Sequence, residues 1–170
     1  MDERLQTAVK AIKDQFGSTS EEFRGEVTLF VPAQHLVRVA QILRDEYAFE
    51  MLLDLTAVDY WPAQSPRFHL VVHLYSISQN LILRLRLPVD GNAPSLHTLE
   101  GVYPNANWKE REVWDMFGIR FEGHSDLRRI VMPADWQGHP LRKDYPLGYE
   151  EPQFSFNAEA VNRRKPFMVE

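Results

Sequence analysis

The chain has no cysteine in its 170 residues, and this absence excludes several kinds of chemistry at once. It rules out a disulfide framework, a zinc site built on cysteine, a thiol nucleophile and an iron–sulfur cluster held by thiolates. Any redox role must therefore depend on a cofactor that another chain carries.

An excess of basic residues is also missing. The 19 Lys and Arg residues are outnumbered by 24 Asp and Glu, which gives a net charge of −5. This balance argues against a dedicated nucleic-acid binder or a strongly basic membrane-surface module. The glycine-rich nucleotide-binding motifs and the G-x-S-x-G motif of serine hydrolases are absent as well.

Long apolar segments are lacking too. No run approaches the ~18 consecutive apolar residues of a spanning helix. The first residues, Met1 to Arg4, are charged and do not open a signal peptide. We therefore expect an intracellular chain that meets a membrane only through partners.

What the sequence does contain is regular hydrophobic periodicity up to about residue 122, which predicts an α+β fold. Helical spacing predicts helices at about 3–16 (capped by Asp2 and ended by Gly17), 33–47, 95–102 and 108–117. Alternation predicts strands at about 25–31, 51–58, 67–77 and 81–87, and a short one at 119–121. We expect one small, mainly antiparallel sheet with helices packed on one face.

Beyond residue 122 the periodicity stops, and the chain is polar, aromatic and interrupted by Pro and Gly. Such a long irregular segment is uncommon unless it is functional or disordered. We divide the single unit into a core, residues 1–122, and an extended C-terminal arm, residues 123–170. The arm carries aromatic residues suited to anchoring on a neighbour, namely Trp136, Tyr145, Tyr149, Phe154 and Phe156.

The densest charged segment is the predicted helix 108–117. Asn107 and Glu110 fit the spacing of an N-terminal capping box, and Gly118 is a suitable end. Arg111 and Asp115 are placed to pair one turn apart. A salt-bridged helix that presents aromatic residues is favoured over catalysis by its carboxylates.

Four residues of the arm form a possible metal-ligand set: His124, Asp126, His139 and Asp144. They define one rival hypothesis, a small metal-dependent hydrolase. Their spacing matches no compact metal motif, and they equally suit hydrogen bonding to irregular backbone. The basic pairs 128–129 and 142–143 are balanced by nearby acids, with seven basic and eight acidic residues between 108 and 150. Ion pairs are therefore favoured over phosphate binding.

Three ordered blocks carry a specific resemblance. They are EREVWDMFGI at 110–119, GHSDLRRI at 123–130 and DWQGHPLRKDYPL at 135–147, with weaker similarity in 54–60 and 67–87. Together they closely resemble the 30 kDa-type family, the C subunit, of the proton-translocating NADH:quinone oxidoreductase, respiratory complex I. The similarity covers most of the chain from about residue 25 to 147.

The resemblance implies a non-catalytic structural subunit of the peripheral arm of that complex. It implies no catalytic, cofactor-binding or metal residue here, because the iron–sulfur clusters, FMN and quinone would belong to partner subunits. The chain would dock the quinone-site subunit (the D subunit) and neighbouring iron–sulfur subunits, peripherally at the cytoplasmic face of the membrane. The expected partner-binding residues are Glu110, Arg111, Asp115, Phe117, His124, Asp126, Arg128, Arg129, Trp136, His139, Arg142, Lys143, Asp144 and Tyr145. A homologous subunit of a membrane-bound hydrogenase or a ferredoxin-fed relative is the alternative.

Overall fold

The computed structural model describes residues 2–63, 65–146 and 159. Within them the chain forms three α-helices and seven strands, and no helix there has the length and apolar composition to cross a bilayer. In chain order the elements are α1 (Glu3–Phe16), β1 (Thr19–Phe23), β2 (Glu26–Phe30), α2 (Leu36–Tyr47), β3 (Met51–Asp59), β4 (Phe68–Ser76), β5 (Leu81–Val89), β6 (Ser95–His97), α3 (Ala106–Phe117) and β7 (Arg120–Glu122).

The helix ends follow local chemistry. Asp2 accepts a hydrogen bond from the Arg4 amide at 2.9 Å, and Gly17 ends α1 in the left-handed conformation, as predicted. The second helix begins three residues later than predicted, because Ala33–His35 forms a 3₁₀ turn after Pro32.

Five strands form the main sheet in the order β1-β2-β5-β4-β3. The β2–β5 pair is parallel and the other pairs are antiparallel. A second, two-stranded parallel sheet joins β6 to β7. The predicted α+β fold with a mainly antiparallel sheet is therefore confirmed.

One face of the main sheet is buried. On β4 every second side chain from Phe68 to Ser76 is buried, and on β5 the same alternation buries Leu83, Leu85 and Leu87. The apolar stripes of α1 and α2 share this core. Burial of these side chains, at about 25 cal/mol per Å² of apolar surface, is the main contribution to stability.

Two local features differ from the sequence-based expectation. The strand β1 has no counterpart among the predicted elements, and the helix predicted at 95–102 is wrong. Residues Ser95–His97 instead form β6 by pairing with Arg120–Glu122, and the chain then turns, with the Val102 and Tyr103 amides both donating to Leu99 O. Pairing with a distant strand thus overrides the local helical spacing.

The helix α3 lies along β3, the edge strand of the main sheet. The Asn105 side chain donates to Leu52 O at 2.8 Å, and Lys109 Nζ lies 2.8 Å from Asp54 Oδ1. This contact covers one strand edge and leaves other faces of α3 to the arm.

We predict that Tyr103→Phe lowers the free energy of unfolding by about 1–2 kcal/mol. The buried Tyr103 hydroxyl donates to Phe49 O at 2.7 Å, and its loss leaves that carbonyl without this partner. Tyr75→Phe, which removes a hydroxyl bonded at the surface to Asn80, is the matched control and is expected to cost less. Chemical denaturation measures both, and equal effects would contradict the prediction.

Candidate docking site

The centre of the arm is gathered by one buried carboxylate, that of Asp115 on α3. Its Oδ1 accepts from Arg129 Nη1 at 2.5 Å, and its Oδ2 accepts from the backbone amides of Ile130, Val131 and Met132 at 3.1, 2.8 and 2.9 Å. Burial alone would raise the pKa of Asp115, but these four hydrogen bonds outweigh burial and the pKa is lowered. The Asp115 carboxylate on α3 is therefore ionised, and a segment of the arm that has no secondary structure encloses it.

The arm also caps the end of α3, where backbone carbonyls lack partners within the helix. His139 Nδ1 donates to Asp115 O at 2.9 Å, the Leu141 amide to Met116 O at 3.0 Å, and Arg142 Nε to Phe117 O at 2.5 Å. These contacts replace the water that an exposed helix end would bind.

Gly118 permits this close approach. Its φ is +73°, and a Cβ built on it would lie 2.5 Å from His139 Cδ2 and 2.7 Å from Arg142 Nη2. The sequence predicts this residue only as a helix end. In the structure it also leaves the space in which the arm crosses α3.

A second group of polar contacts joins the end of the described arm to the sheet. Arg67, next to the start of β4, is buried between two carboxylates: Nη2 lies 2.9 Å from Asp59 Oδ2 and 2.6 Å from Asp144 Oδ1. The Lys143 amide donates to Asp59 Oδ2 at 2.8 Å. Burial opposes ionisation of Asp59, but hydrogen bonds from Arg67 and from backbone amides outweigh it and lower its pKa. This network joins the arm to the β3–β4 end of the core.

Glu110 is fully buried on α3 and connects the helix to the turn after β6. It accepts from Thr98 Oγ1 at 2.5 Å and from the Leu99 amide at 2.6 Å, and its Oε2 lies 4.0 Å from His124 Nε2. Burial raises the pKa of Glu110 to about 7 even though both hydrogen bonds favour the charged form. The group therefore changes charge near neutral pH.

The capping box predicted for Asn107 and Glu110 is wrong. The N-cap of α3 is Asn105, which makes no side-chain capping bond. The Asn107 side chain instead donates, through Nδ2, to Glu100 Oε1 and to Ser125 Oγ. Neither side chain caps the helix, because each of them bonds to groups in other segments of the chain.

The first residues of the arm are fixed by His124 and Glu100. The Asp126 amide donates to His124 Nδ1 at 3.0 Å, so the proton lies on Nε2, which donates to Asn107 O at 3.1 Å. Glu100 accepts from the Ser125 amide at 2.7 Å and from its hydroxyl at 2.8 Å. The chain thus leaves β7 in a defined direction.

The predicted ion pair between Arg111 and Asp115 is also wrong. Asp115 pairs with Arg129, while Arg111 donates to the Arg128 and Arg129 carbonyls at 3.1 and 3.3 Å. The guanidinium also stacks over Trp108, 5.1 Å from the ring centre. A site with three backbone amides and an arginine outcompetes a single bond one helical turn away.

The remaining expected partner-binding residues lie at different depths. Phe117 is buried and Trp136 is half-buried, and Tyr145 lies over Gly138, whose added Cβ would meet its ring at 2.6 Å. Asp126 and Arg128, which pair at 2.8 Å, are exposed, as are Lys143 and Asp144. All fourteen residues belong to α3 or to the arm, and partner binding by them stays a prediction. The anchors Tyr149, Phe154 and Phe156 lie outside the described residues.

The four possible metal ligands are not brought to one point. His124 binds backbone at the start of the arm, His139 binds Asp115 O, and Asp144 pairs with Arg67. In the described part of the chain, no three His, Cys, Asp or Glu side chains are arranged to hold a metal ion. The two histidines therefore hydrogen-bond to backbone groups, which is the alternative to metal binding that the sequence left open.

Sequence reasoning missed Asp59, Arg67 and Glu100, which fasten the arm or its start, and Thr98, which bonds to Glu110 on α3. The available signal was weak: Asp59 ends an apolar strand and Arg67 precedes the next, so two opposite charges flank one turn. Only the fold shows that both are buried.

Comparison with known proteins identifies the family. The model of the family described as respiratory-chain NADH dehydrogenase, 30 Kd subunit, matches residues 29–151. The chain belongs to this family. The resemblance found in the sequence is thereby confirmed.

Relatives and solved structures agree with this assignment. The C subunit of NADH-quinone oxidoreductase from Roseiflexus sp. (strain RS-1) is 48% identical over 89% of this chain and 87% of its own length. The protein of the same name from Geobacter sulfurreducens is 46% identical over 82% and 88%. A trypsin-resistant fragment (1–134) of Nqo5 has a TM-score of 0.65 at 29% identity, covering 73% of this chain and 99% of that one. A chain of an archaeal membrane-bound sulfane sulfur reductase shares the fold, with a TM-score of 0.75 at 23% identity over 99% and 97%.

For this 30 kDa-family chain we predict that Asp115→Asn lowers the free energy of unfolding by about 3 kcal/mol or more. The amide would place a donor among donors and leave Arg129 without its counter-charge. Asp126→Asn removes an exposed pair and is expected to cost less than about 1 kcal/mol. Urea denaturation of the two variants measures both, and equal losses would refute the central role of Asp115.

The stability of the chain should also depend on Glu110 in a specific pH range. Its folded pKa of about 7 lies above the ordinary value of 4.5, so the folded state binds the extra proton. The stabilisation that this proton binding adds to the free energy of unfolding is complete below about pH 4.5. It is lost as the pH rises through 7, by up to about 3 kcal/mol. Unfolding curves of wild type and Glu110→Gln from pH 5 to 8 test this.

The expected result is that the stability of Glu110→Gln relative to wild type increases with pH across this range. Glu112→Gln, at an exposed position on the same helix, is the control and should keep the wild-type profile. A constant difference between Glu110→Gln and wild type would show that Glu110 does not titrate there.

Proposed function

We propose that the chain is a non-catalytic structural subunit of the peripheral arm of the proton-translocating NADH:quinone oxidoreductase. The family match over residues 29–151 carries this proposal, because it includes most of the core together with residues 123–146 of the arm. The curated relatives, which are named as the C subunit of NADH-quinone oxidoreductase, support it over most of their length. In this function the chain supports electron transfer from NADH to quinone coupled to proton translocation.

The surface that docks is formed by α3 and the arm, and its first partner is the quinone-site subunit, with iron–sulfur subunits beside it. Exposed apolar side chains support this choice: Trp108 is 60% exposed and contacts Arg111, which lines the same groove as Ile130, and Val131 beside Ile130 is 58% exposed. Single exposed apolar residues are ordinary, but a group of them gathered at one groove is typical of an interaction surface. Exposed members of the fourteen residues then contact the partner, while the buried members hold the arm in shape.

The cofactors of the reaction belong to the partner subunits in this proposal. A chain without cysteine cannot hold an iron–sulfur cluster by thiolates. The titratable residues around α3 are engaged in fastening the arm, as Asp115 and Asp144 illustrate. The chain therefore contributes shape and attachment at the cytoplasmic face of the membrane, which it reaches through its partners.

The alternative is the corresponding subunit of a membrane-bound hydrogenase or of a ferredoxin-fed relative. The fold shared with the sulfane sulfur reductase chain supports only the statement that this fold serves more than one respiratory complex. Purification of the complex and identification of its electron-input subunits distinguishes the two, because the input subunits differ between them.

Charge reversal at Arg128 tests the docking surface. Its side chain is 73% exposed and pairs only with Asp126 among the described residues, so Arg128→Glu should leave folding nearly unchanged. We expect the variant to reduce assembled complex on native gels by at least several-fold, because like charges then meet at the interface. Arg38→Glu on α2, also exposed, should assemble normally.

Arg128 is a better probe than Arg142, which donates to Phe117 O and is half-buried. Reversal at Arg142 would also disturb the arm itself. Full assembly of Arg128→Glu, with a wild-type melting temperature, would contradict docking through this surface.

A further inference from the structure

A groove of about 550 Å³ lies between α3 and the middle of the arm. Three arginines line it, together with apolar walls that include Trp114 and Ile130. A concave surface with apolar walls and a few charged groups is suited to receiving a side chain of matching charge.

The three arginines differ in how their charge is balanced. Arg129 is paired with buried Asp115 at 2.5 Å, and Arg128 is paired with exposed Asp126 at 2.8 Å. Arg111 is only 7% exposed, and in the part of the chain that the structure describes no carboxylate lies within 4 Å of it. The positive charge of Arg111 is thus the one that this groove leaves without a described counter-ion.

The contacts of Arg111 show which part of it is available. Its Nε and Nη2 donate to the Arg128 and Arg129 carbonyls, and the plane of its guanidinium stacks on the Trp108 ring. No described acceptor is bound by its Nη1. The guanidinium is therefore held in a fixed orientation before any partner arrives, and a buried guanidinium is stabilised most by a carboxylate.

We propose that this groove receives an aspartate or glutamate side chain of a partner subunit, and that Arg111 forms an ion pair with it across the interface. The inference rests on the proposed function, in which this surface docks a neighbouring subunit. Exposed Trp108 and Ile130 beside the groove fit apolar residues flanking the acid in the partner. The acid is thus part of a folded protein surface and not a free anion.

Carbodiimide crosslinking of the assembled complex tests this contact. In the variant R111K an ε-amine replaces the guanidinium and retains the positive charge. A zero-length carbodiimide activates a carboxylate, the amine displaces the activated oxygen to form an amide, and the reagent leaves as a urea. Only groups in contact react, and mass spectrometry identifies the acid. The variant R38K, exposed on α2, is the matched control.

We expect R111K to give a crosslink at position 111 to an Asp or Glu of another subunit, at a yield at least tenfold above any such product of R38K at position 38. A crosslink only to acids of this chain, including those after residue 146, would overturn the inference. So would the absence of a crosslink at position 111 in a complex that contains R111K. In both cases copurification of the chain with the complex would leave the proposed function standing, whereas failure of wild type to copurify would refute that function itself.

Discussion

The described structure of the arm depends on a carboxylate buried at the end of a helix. An irregular segment has no ladder to satisfy its backbone amides, and amides without partners are costly when they leave water. Asp115 supplies acceptors for three consecutive amides and a counter-charge for Arg129. With Arg67 holding Asp144 at the far end, this carboxylate turns a segment without secondary structure into a fixed surface. A docking surface of this kind costs less entropy on binding than a segment that orders only on contact.

The three sequence blocks that identified the family meet in space for the same reason. The first block forms α3 and its end at Gly118, and the other two lie against it. Gly118 gives room for His139, and the helix end accepts from Leu141 and Arg142. The blocks therefore act as one packed unit, and their exposed residues form the surface that we propose docks a partner.

The sequence was sufficient for elements whose signal is local. Alternation along β4 and β5 predicted their buried face, and Asp2 and Gly17 predicted both ends of α1. It failed for β1, because Thr19–Phe23 is mostly polar and almost wholly exposed and forms a strand only by pairing with β2. It failed again at residues 95–102, where pairing with β7 decides the conformation. Contacts of this kind cannot be derived from periodicity.

For the site, the sequence located the correct segments but not their pairings. The i,i+4 rule favoured Arg111 with Asp115, yet a distant loop offers Asp115 four donors. In the same way, the side chains of Asn107 and Glu110 bond to residues 99 and 100 and do not form the predicted capping box. The decisive measurement is native hydrogen exchange of the isolated full-length chain. If Asp115 fixes the arm, the amides of Ile130, Val131 and Met132 are protected at least about a hundredfold over exposed loop amides, whereas exchange of these amides at unprotected rates would show that it does not.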